Sequence, residues 1–114
     1  MALLGARPAL APTPKAKPLV PLGSEQLTVA GSAIGLAGIV GALPKHALIQ
    51  VTGAPIRWLA SSRTAPTSTL GVRVDAGGFI EWLDLNVDYS MLIEKALFIR
   101  EGGASATLEI LYFA

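Results

Sequence analysis

Cysteine is absent from this chain, and charged residues are scarce. Without cysteine there is no disulfide framework, no thiolate nucleophile and no cysteine metal site. Only 15% of the 114 residues are charged, whereas 52% are hydrophobic, and this balance indicates surface reserved for partners. A chain of this length can form one compact domain and is too short for two. We therefore expect one core and association into an oligomer or a larger assembly.

Residues suited to catalysis are also few. His46 is the only histidine, and no acidic residue lies near it in the sequence. A Ser-His-acid triad would have to use this histidine, and no serine sits in the Gly-x-Ser-x-Gly turn of a serine hydrolase. We expect His46 to be a surface or interface side chain and the protein not to be an enzyme.

One acidic segment, 84–88, matches the D-x-N-x-D opening of a calcium-binding EF-hand loop. The match ends where the geometry is most demanding, because Tyr89 replaces the glycine of the tight turn and Lys95 replaces the bidentate glutamate. Alternation of apolar and polar residues over 83–88 instead predicts a strand with one solvent-facing side. We expect neither a metal nor a cofactor.

The first 23 residues differ in composition from the rest of the chain. They hold five of the eight prolines, at positions 8, 12, 14, 18 and 21, and three basic but no acidic side chains. The prolines predict an extended arm over 1–23, followed by a sandwich domain over 24–114. The arm is either a disordered tail or a segment that orders along a neighbouring subunit. Its candidate partner contacts are Arg7, Lys15 and Lys17.

Targeting and nucleic-acid binding are not predicted for this arm. Arg7 and Pro8 interrupt the apolar residues too early for a signal peptide. Three positive charges are far fewer than a nucleic-acid binder usually brings, since each neutralised phosphate adds only incrementally to affinity. We expect no nucleic acid as the main partner.

The uncharged segment from Leu27 to Leu43 has glycines at four positions, 31, 35, 38 and 41. This spacing is typical of paired membrane helices, but about 17 residues are at the short limit for crossing a bilayer, and Pro44 follows. The alternatives are a strand, glycine turn and strand, or a buried packing segment shared between subunits. We expect no membrane partner.

Beyond Lys45, apolar and polar residues alternate with the period of two that is typical of half-buried antiparallel strands. The alternation covers 45–52, 72–75 and 83–88. Two glycine pairs, Gly77-Gly78 and Gly102-Gly103, lack the context of a phosphate-binding loop and predict hairpin turns.

The last two segments complete the predicted sheets. Met91 to Arg100 could form a short helix, but we favour a strand over Lys95 to Arg100 because a Glu-Gly-Gly turn follows it. The final segment has two largely apolar faces, which predicts a central strand or one covered by a partner. About seven strands result, and this pattern is typical of an all-β, antiparallel β-sandwich or jelly roll.

The stretch from Gly53 to Trp82 carries the best recognition candidates. It reads as a strand, a polar loop over 61–69, a second strand, a glycine turn and a third strand that opens before Trp82. Arg57 and Trp58 are of the residue types most enriched at binding hot spots, and Arg63 falls in the polar loop. For Trp58, filling the core is the alternative.

Three stretches carry a resemblance to a known class of proteins. They read A-L-I-Q-V-T-G-A-P-I-R-W, then A-P-T-S-T-L-G-V-R-V-D-A-G-G-F-I-E-W, then A-L-F-I-R-E-G-G-A-S-A-T-L-E-I-L-Y-F. Over Ala47 to Phe113 the chain resembles small virion proteins of tailed bacteriophages, of the head decoration or cement type and related head and tail accessory proteins. The shared elements are an Arg-aromatic pair, a Pro-Thr turn, an Ala-Gly-Gly turn and a final Gly-Ala-x-Ala-x-Leu strand.

The resemblance implies a sandwich that oligomerises, often as a trimer, on the head or at the tail. We accordingly expect a non-enzymatic decoration or cement protein of the virion, assembled in the host cytoplasm. Its partners would be the major capsid protein or other virion subunits, with oligomer contacts through Leu27 to Leu43 and the final strand. The candidate capsid contacts are Arg7, Lys15, Lys17, Arg57, Trp58 and Arg63.

Three other functions stay open at this point. One is a tail, collar or fibre-attachment component of the virion. Another is a carbohydrate- or cell-surface-binding sandwich, with Trp58 and the 61–69 loop as its contact site. The third is a small membrane-anchored protein that uses Leu27 to Leu43.

Overall fold

Strands dominate the part of the chain that the computed structural model describes, residues 18–61 and 63–114. The eight strands there are β1 (Pro21–Val29), β2 (Ile34–Gly35), β3 (His46–Thr52), β4 (Ile56–Ala60), β5 (Val72–Val74), β6 (Phe79–Trp82), β7 (Ala96–Arg100) and β8 (Ala106–Phe113). One short helix, α1 (Ser90–Lys95), lies between β6 and β7.

The strands form two four-stranded antiparallel sheets. The first sheet has the order β1-β8-β3-β6 and the second sheet the order β2-β7-β4-β5. The pairs β1/β8, β2/β7, β3/β6 and β4/β5 are those of one long hairpin, rolled so that each half contributes to both sheets. This connectivity is that of a jelly roll. The predicted all-β sandwich is confirmed, with eight strands rather than about seven.

Apolar side chains from the inner faces of both sheets form one core. Alternate residues of β3 and β8 point inward because successive side chains of a strand lie on opposite faces, and Ile49 pairs with Ile110 at the centre of the first sheet. Phe98 of β7 is the largest fully buried side chain of the second sheet. Since β8 lies between β1 and β3, the prediction of a central final strand is confirmed.

The connections between strands differ strongly in length at the two ends of the sandwich. Connections of three to five residues, 30–33, 53–55, 75–78 and 101–105, lie at what we call the turn end. Connections of 10 to 13 residues, 36–45, 61–71 and 83–95, lie at the opposite loop end. The turn end is closed by backbone bonds between connections, such as the 3.1 Å bond from the Glu101 N–H to the Pro55 carbonyl.

Residues 83–88 do not form the strand that their alternation predicts. The Asp84 carboxylate accepts a hydrogen bond from the backbone N–H of Asn86 at 2.9 Å, and the Asp88 carboxylate accepts one from the N–H of Ser90 at 2.9 Å. Short acidic side chains that bond to the backbone two residues ahead favour turns over strands. The strand prediction was therefore wrong here.

Other boundaries also differ from expectation. Residues 21–23, assigned to the arm, belong to β1. Both glycine pairs connect strands of opposite sheets, so neither forms a hairpin turn. The strand predicted over 95–100 begins one residue later as β7, after α1.

The segment 27–43 follows the strand, turn and strand interpretation, with a long loop after β2. No helix in residues 18–61 and 63–114 is long and apolar enough to cross a membrane.

Candidate interaction surface at the loop end

The loop after β2, residues 36–45, presents apolar side chains to solvent. Val40 is fully exposed and Leu43 is 84% exposed, while Met91 on the adjacent α1 is 62% exposed. Large apolar side chains exposed at one end of a small domain make that end a candidate contact surface, because monomeric proteins rarely expose contiguous apolar patches.

A cavity of about 410 Å³ opens between this loop and α1. Leu36, Ile39 and Leu43 contribute apolar side chains from the loop, and the buried Ile93 contributes from α1. Glu94 supplies a carboxylate, and because it is exposed we place it at the rim. We call this cavity the apolar groove. Its volume lies in the range of about 300 to 1,000 Å³ that accommodates small ligands.

Glu25 of β1 holds the 36–45 loop against the first sheet. Its carboxylate accepts hydrogen bonds from the Tyr112 hydroxyl at 2.5 Å and from the backbone N–H groups of Ala37 at 2.9 Å and Gly38 at 3.3 Å. Burial, and secondarily the bond to Glu25, raises the pKa of Tyr112 well above its ordinary 10.0. One carboxylate thus fixes a wall of the apolar groove to the core.

A second link between segments lies at the start of β3. His46 is 5% exposed, and its Nδ1 and Nε2 atoms each lie 3.0 Å from a backbone carbonyl oxygen, of Ala114 and Asp84 respectively. Both partners are acceptors, so either ring N–H of the imidazole finds a carbonyl oxygen within hydrogen-bond distance. His46 was expected to be a surface or interface side chain. It is instead buried within the domain, because these two acceptors allow the polar ring to leave water.

Beside His46 lies a second cavity of about 390 Å³, which we call the entry cavity. Pro18, where the described chain begins, lines it together with Lys45 and Val87. Since Pro44 lines the apolar groove and Lys45 lines the entry cavity, the two sites adjoin at the loop end.

Arg57 lies on the outer face of the second sheet, where its side chain is engaged within the domain. Its guanidinium donates to Glu101 at 3.0 and 3.1 Å and to the Gly71 carbonyl at 3.0 Å. Glu101 also accepts from Arg73 of the paired strand at 2.7 Å, and Arg73 in turn pairs with Asp75. This network connects β4, β5 and the end of β7 and leaves Arg57 little freedom to reach a partner.

Trp58 points the other way from Arg57, into the sandwich. Its ring meets Trp82 edge-on with centroids 5.4 Å apart and lies 6.4 Å from Phe98. The side chain packs as the core-filling alternative describes, with its ring half-buried. Arg63 is exposed in the loop after β4.

The structure therefore does not gather the sequence-predicted contacts on one surface. Arg57 and Trp58 occupy opposite faces of β4, and Arg7, Lys15 and Lys17 lie outside the described residues.

The apolar groove was not predicted from the sequence. Its signals were the turn-forming Gly38 and Gly41, both at positive φ (77° and 79°), and the strand-stopping Pro44. These mark 36–45 as a loop, and an apolar loop must expose some of its side chains.

Two further findings bear on the chemistry of the surface. Within residues 18–61 and 63–114, no three His, Asp or Glu side chains come together as metal ligands would. Comparisons with protein-family models, curated proteins and solved structures found no match.

Proposed function

We propose that this chain is a non-enzymatic structural protein of a bacteriophage virion, which binds the assembled head as a decoration or cement protein. The observation that carries the proposal is the apolar loop end of the jelly roll, with Val40, Leu43 and Met91 exposed beside the apolar groove. In this proposal the loop end is the surface through which the protein assembles.

Energetics favour assembly through this end. Burying one large apolar side chain contributes about 1.5 to 3 kcal/mol relative to leaving it in water, and three such side chains are gathered here. The turn end offers a smaller gain. Its short connections are bonded to the rest of the domain, as in the 2.7 Å bond from the Gly77 N–H to the Val51 carbonyl of β3, and its large apolar side chains Ile34 and Phe79 are less exposed, at 38% and 51%. An asymmetric domain of this kind suits a component that docks by one end.

The virion assignment draws on the resemblance of residues 47–113, which form β3 to β8. A protein that binds only the assembled lattice stabilises that lattice by mass action, since any ligand selective for one state shifts the equilibrium toward it. In this proposal the exposed Arg63, together with Lys15 and Lys17 of the N-terminal segment, contacts the capsid.

The carbohydrate-binding alternative placed its contact site at Trp58 and the 61–69 loop. The Trp58 ring is directed into the sandwich against Trp82, which removes the aromatic half of that site, and no observation on the loop favours this alternative over a virion role.

Cryo-electron microscopy of virions that contain this chain tests the proposal. We expect density for the jelly roll on the head lattice, and purified chain added to stripped, expanded heads should rebind them and raise the temperature at which they release DNA. Leu43→Asp should weaken this binding, whereas Leu111→Asp, at an exposed leucine on the outer face of the first sheet, should retain it. Density on the tail or collar would favour the accessory alternative. Absence from the virion would overturn the proposal.

A further inference from the structure

We infer that residues 1–10 of a neighbouring copy of this chain bind in the apolar groove. The inference names a partner for the surface on which the proposed function rests. The test of this inference needs only the purified chain. The inference can therefore fail while the virion role holds, and the virion role can fail while the inference holds.

The groove suits an extended apolar segment. Its base is formed by the buried Ile93, and its opening is bordered by the exposed Leu43 and by the carboxylate of Glu94. The bonds from the Ala37 and Gly38 N–H groups to Glu25 hold the loop wall in place, so the site exists before a segment enters it. A preformed site lowers the entropy lost on binding.

The first ten residues have the composition that this groove requires. Met1, Leu3, Leu4 and Leu10 are apolar, Arg7 is basic, and the segment contains no acidic residue. The leucines can enter the apolar groove while the Arg7 guanidinium meets the rim carboxylate of Glu94. An exposed ion pair adds little affinity but sets the orientation of the segment.

Chain reach favours a neighbouring copy over the same domain. Residues 1–17 join the described chain at Pro18, which lines the entry cavity next to the groove. Prolines at positions 8, 12 and 14 predict an extended chain, and the eight residues from Leu10 to Pro18 then span about 25 Å at about 3.1 Å per residue. Pro44 lines the groove and the next residue, Lys45, lines the entry cavity, so the groove of the same domain lies close to Pro18 and an extended segment passes beyond it.

Cross-linking of the full chain tests the inference, because the natural sequence has no cysteine to interfere. Leu4→Cys chains are mixed with Leu43→Cys chains and oxidised. The matched control mixes Leu4→Cys with Leu111→Cys, which places the thiol at another exposed leucine. We expect at least about tenfold more disulfide-linked heterodimer with Leu43→Cys, because docking raises the local concentration of the thiol.

Equal yields in the two mixtures would overturn the inference. A double variant, Leu4→Cys with Leu43→Cys, that gives chiefly a monomeric intrachain disulfide would overturn exchange between copies. As an independent measurement, Leu3→Asp combined with Leu4→Asp should lower the mass of the oligomer in light scattering. An unchanged mass would count against docking of this segment.

Discussion

Replacing Glu25 by alanine should destabilise the domain far more than its position near a sheet edge suggests. The carboxylate is the acceptor for three donors, from Tyr112, Ala37 and Gly38. A buried donor left without an acceptor costs about 1 to 3 kcal/mol, and the Tyr112 side chain is fully buried. The Ala37 N–H lies in an exposed setting, so water can replace much of its bond. We therefore expect Glu25→Ala to lower the free energy of unfolding by about 2 to 4 kcal/mol.

Urea denaturation with an unchanged slope measures this loss. Glu109→Ala is the matched control, because Glu109 is an exposed glutamate on the first sheet whose side chain bonds only to Gln26 among the described side chains, and its loss should stay within about 0.5 kcal/mol. A double-mutant cycle with Tyr112→Phe should give a coupling energy of about 1 kcal/mol. Equal losses of unfolding free energy in Glu25→Ala and Glu109→Ala, or a coupling energy near zero, would refute the stabilising role of the bonds to the Glu25 carboxylate. Amide exchange in the 36–45 loop should accelerate in Glu25→Ala alone.

Three further predictions follow from single residues. The raised pKa of Tyr112 contributes stability that is fully present below about pH 10 and is lost as the pH rises toward the pKa of Tyr112 in the folded protein. The free energy of unfolding in urea should therefore fall more between about pH 9 and about pH 11 in the natural chain than in Tyr112→Phe. His46→Ala removes a buried ring whose two nitrogens lie within hydrogen-bond distance of backbone carbonyl oxygens and should cost about 1 to 3 kcal/mol in thermal unfolding, with Lys45→Ala as the near-neutral comparison. Gly71→Ala should cost about 1 to 3 kcal/mol, because Gly71 has a φ of 129° and a Cβ there would lie 3.0 Å from a backbone oxygen; Gly102→Ala, where the added atom meets nothing within 4 Å, should be nearly neutral, and equal effects would contradict the strain argument.

The strands were predictable where alternation alone decides the structure. In β3, Ala47, Ile49 and Val51 are all buried, because one face of the strand covers the core. The same alternation failed over 83–88, where the Asp84 and Asp88 carboxylates bond to nearby backbone N–H groups and form turns. The alternation of apolar and polar residues carries no information about such local hydrogen bonds between side chain and backbone.

The candidate surface was harder to predict because it depends on distant pairings. The sequence marks Arg57 as a candidate partner contact. Its bonding partner Glu101 lies 44 residues away, so a local sequence pattern cannot predict the hydrogen-bond network that holds the Arg57 side chain within the domain. Val40 and Leu43 were expected within a strand or a packed segment. They are exposed because β2 ends at Gly35 and none of the eight described strands pairs with the loop that follows.

The rolled hairpin explains why the long loops lie at one end of the sandwich. Successive connections in this topology alternate between the two ends of the sandwich. Every second connection therefore lies at the same end, and long loops in those connections are neighbours. Here all three long connections fall at the loop end, and the chain also enters there at Pro18. Each loop can vary without disturbing strand pairing, because loops tolerate changes that sheets do not. The fold thus brings the two most exposed of its large apolar side chains, Val40 and Leu43, and the apolar groove to the loop end, where a partner could bind without any change in the core.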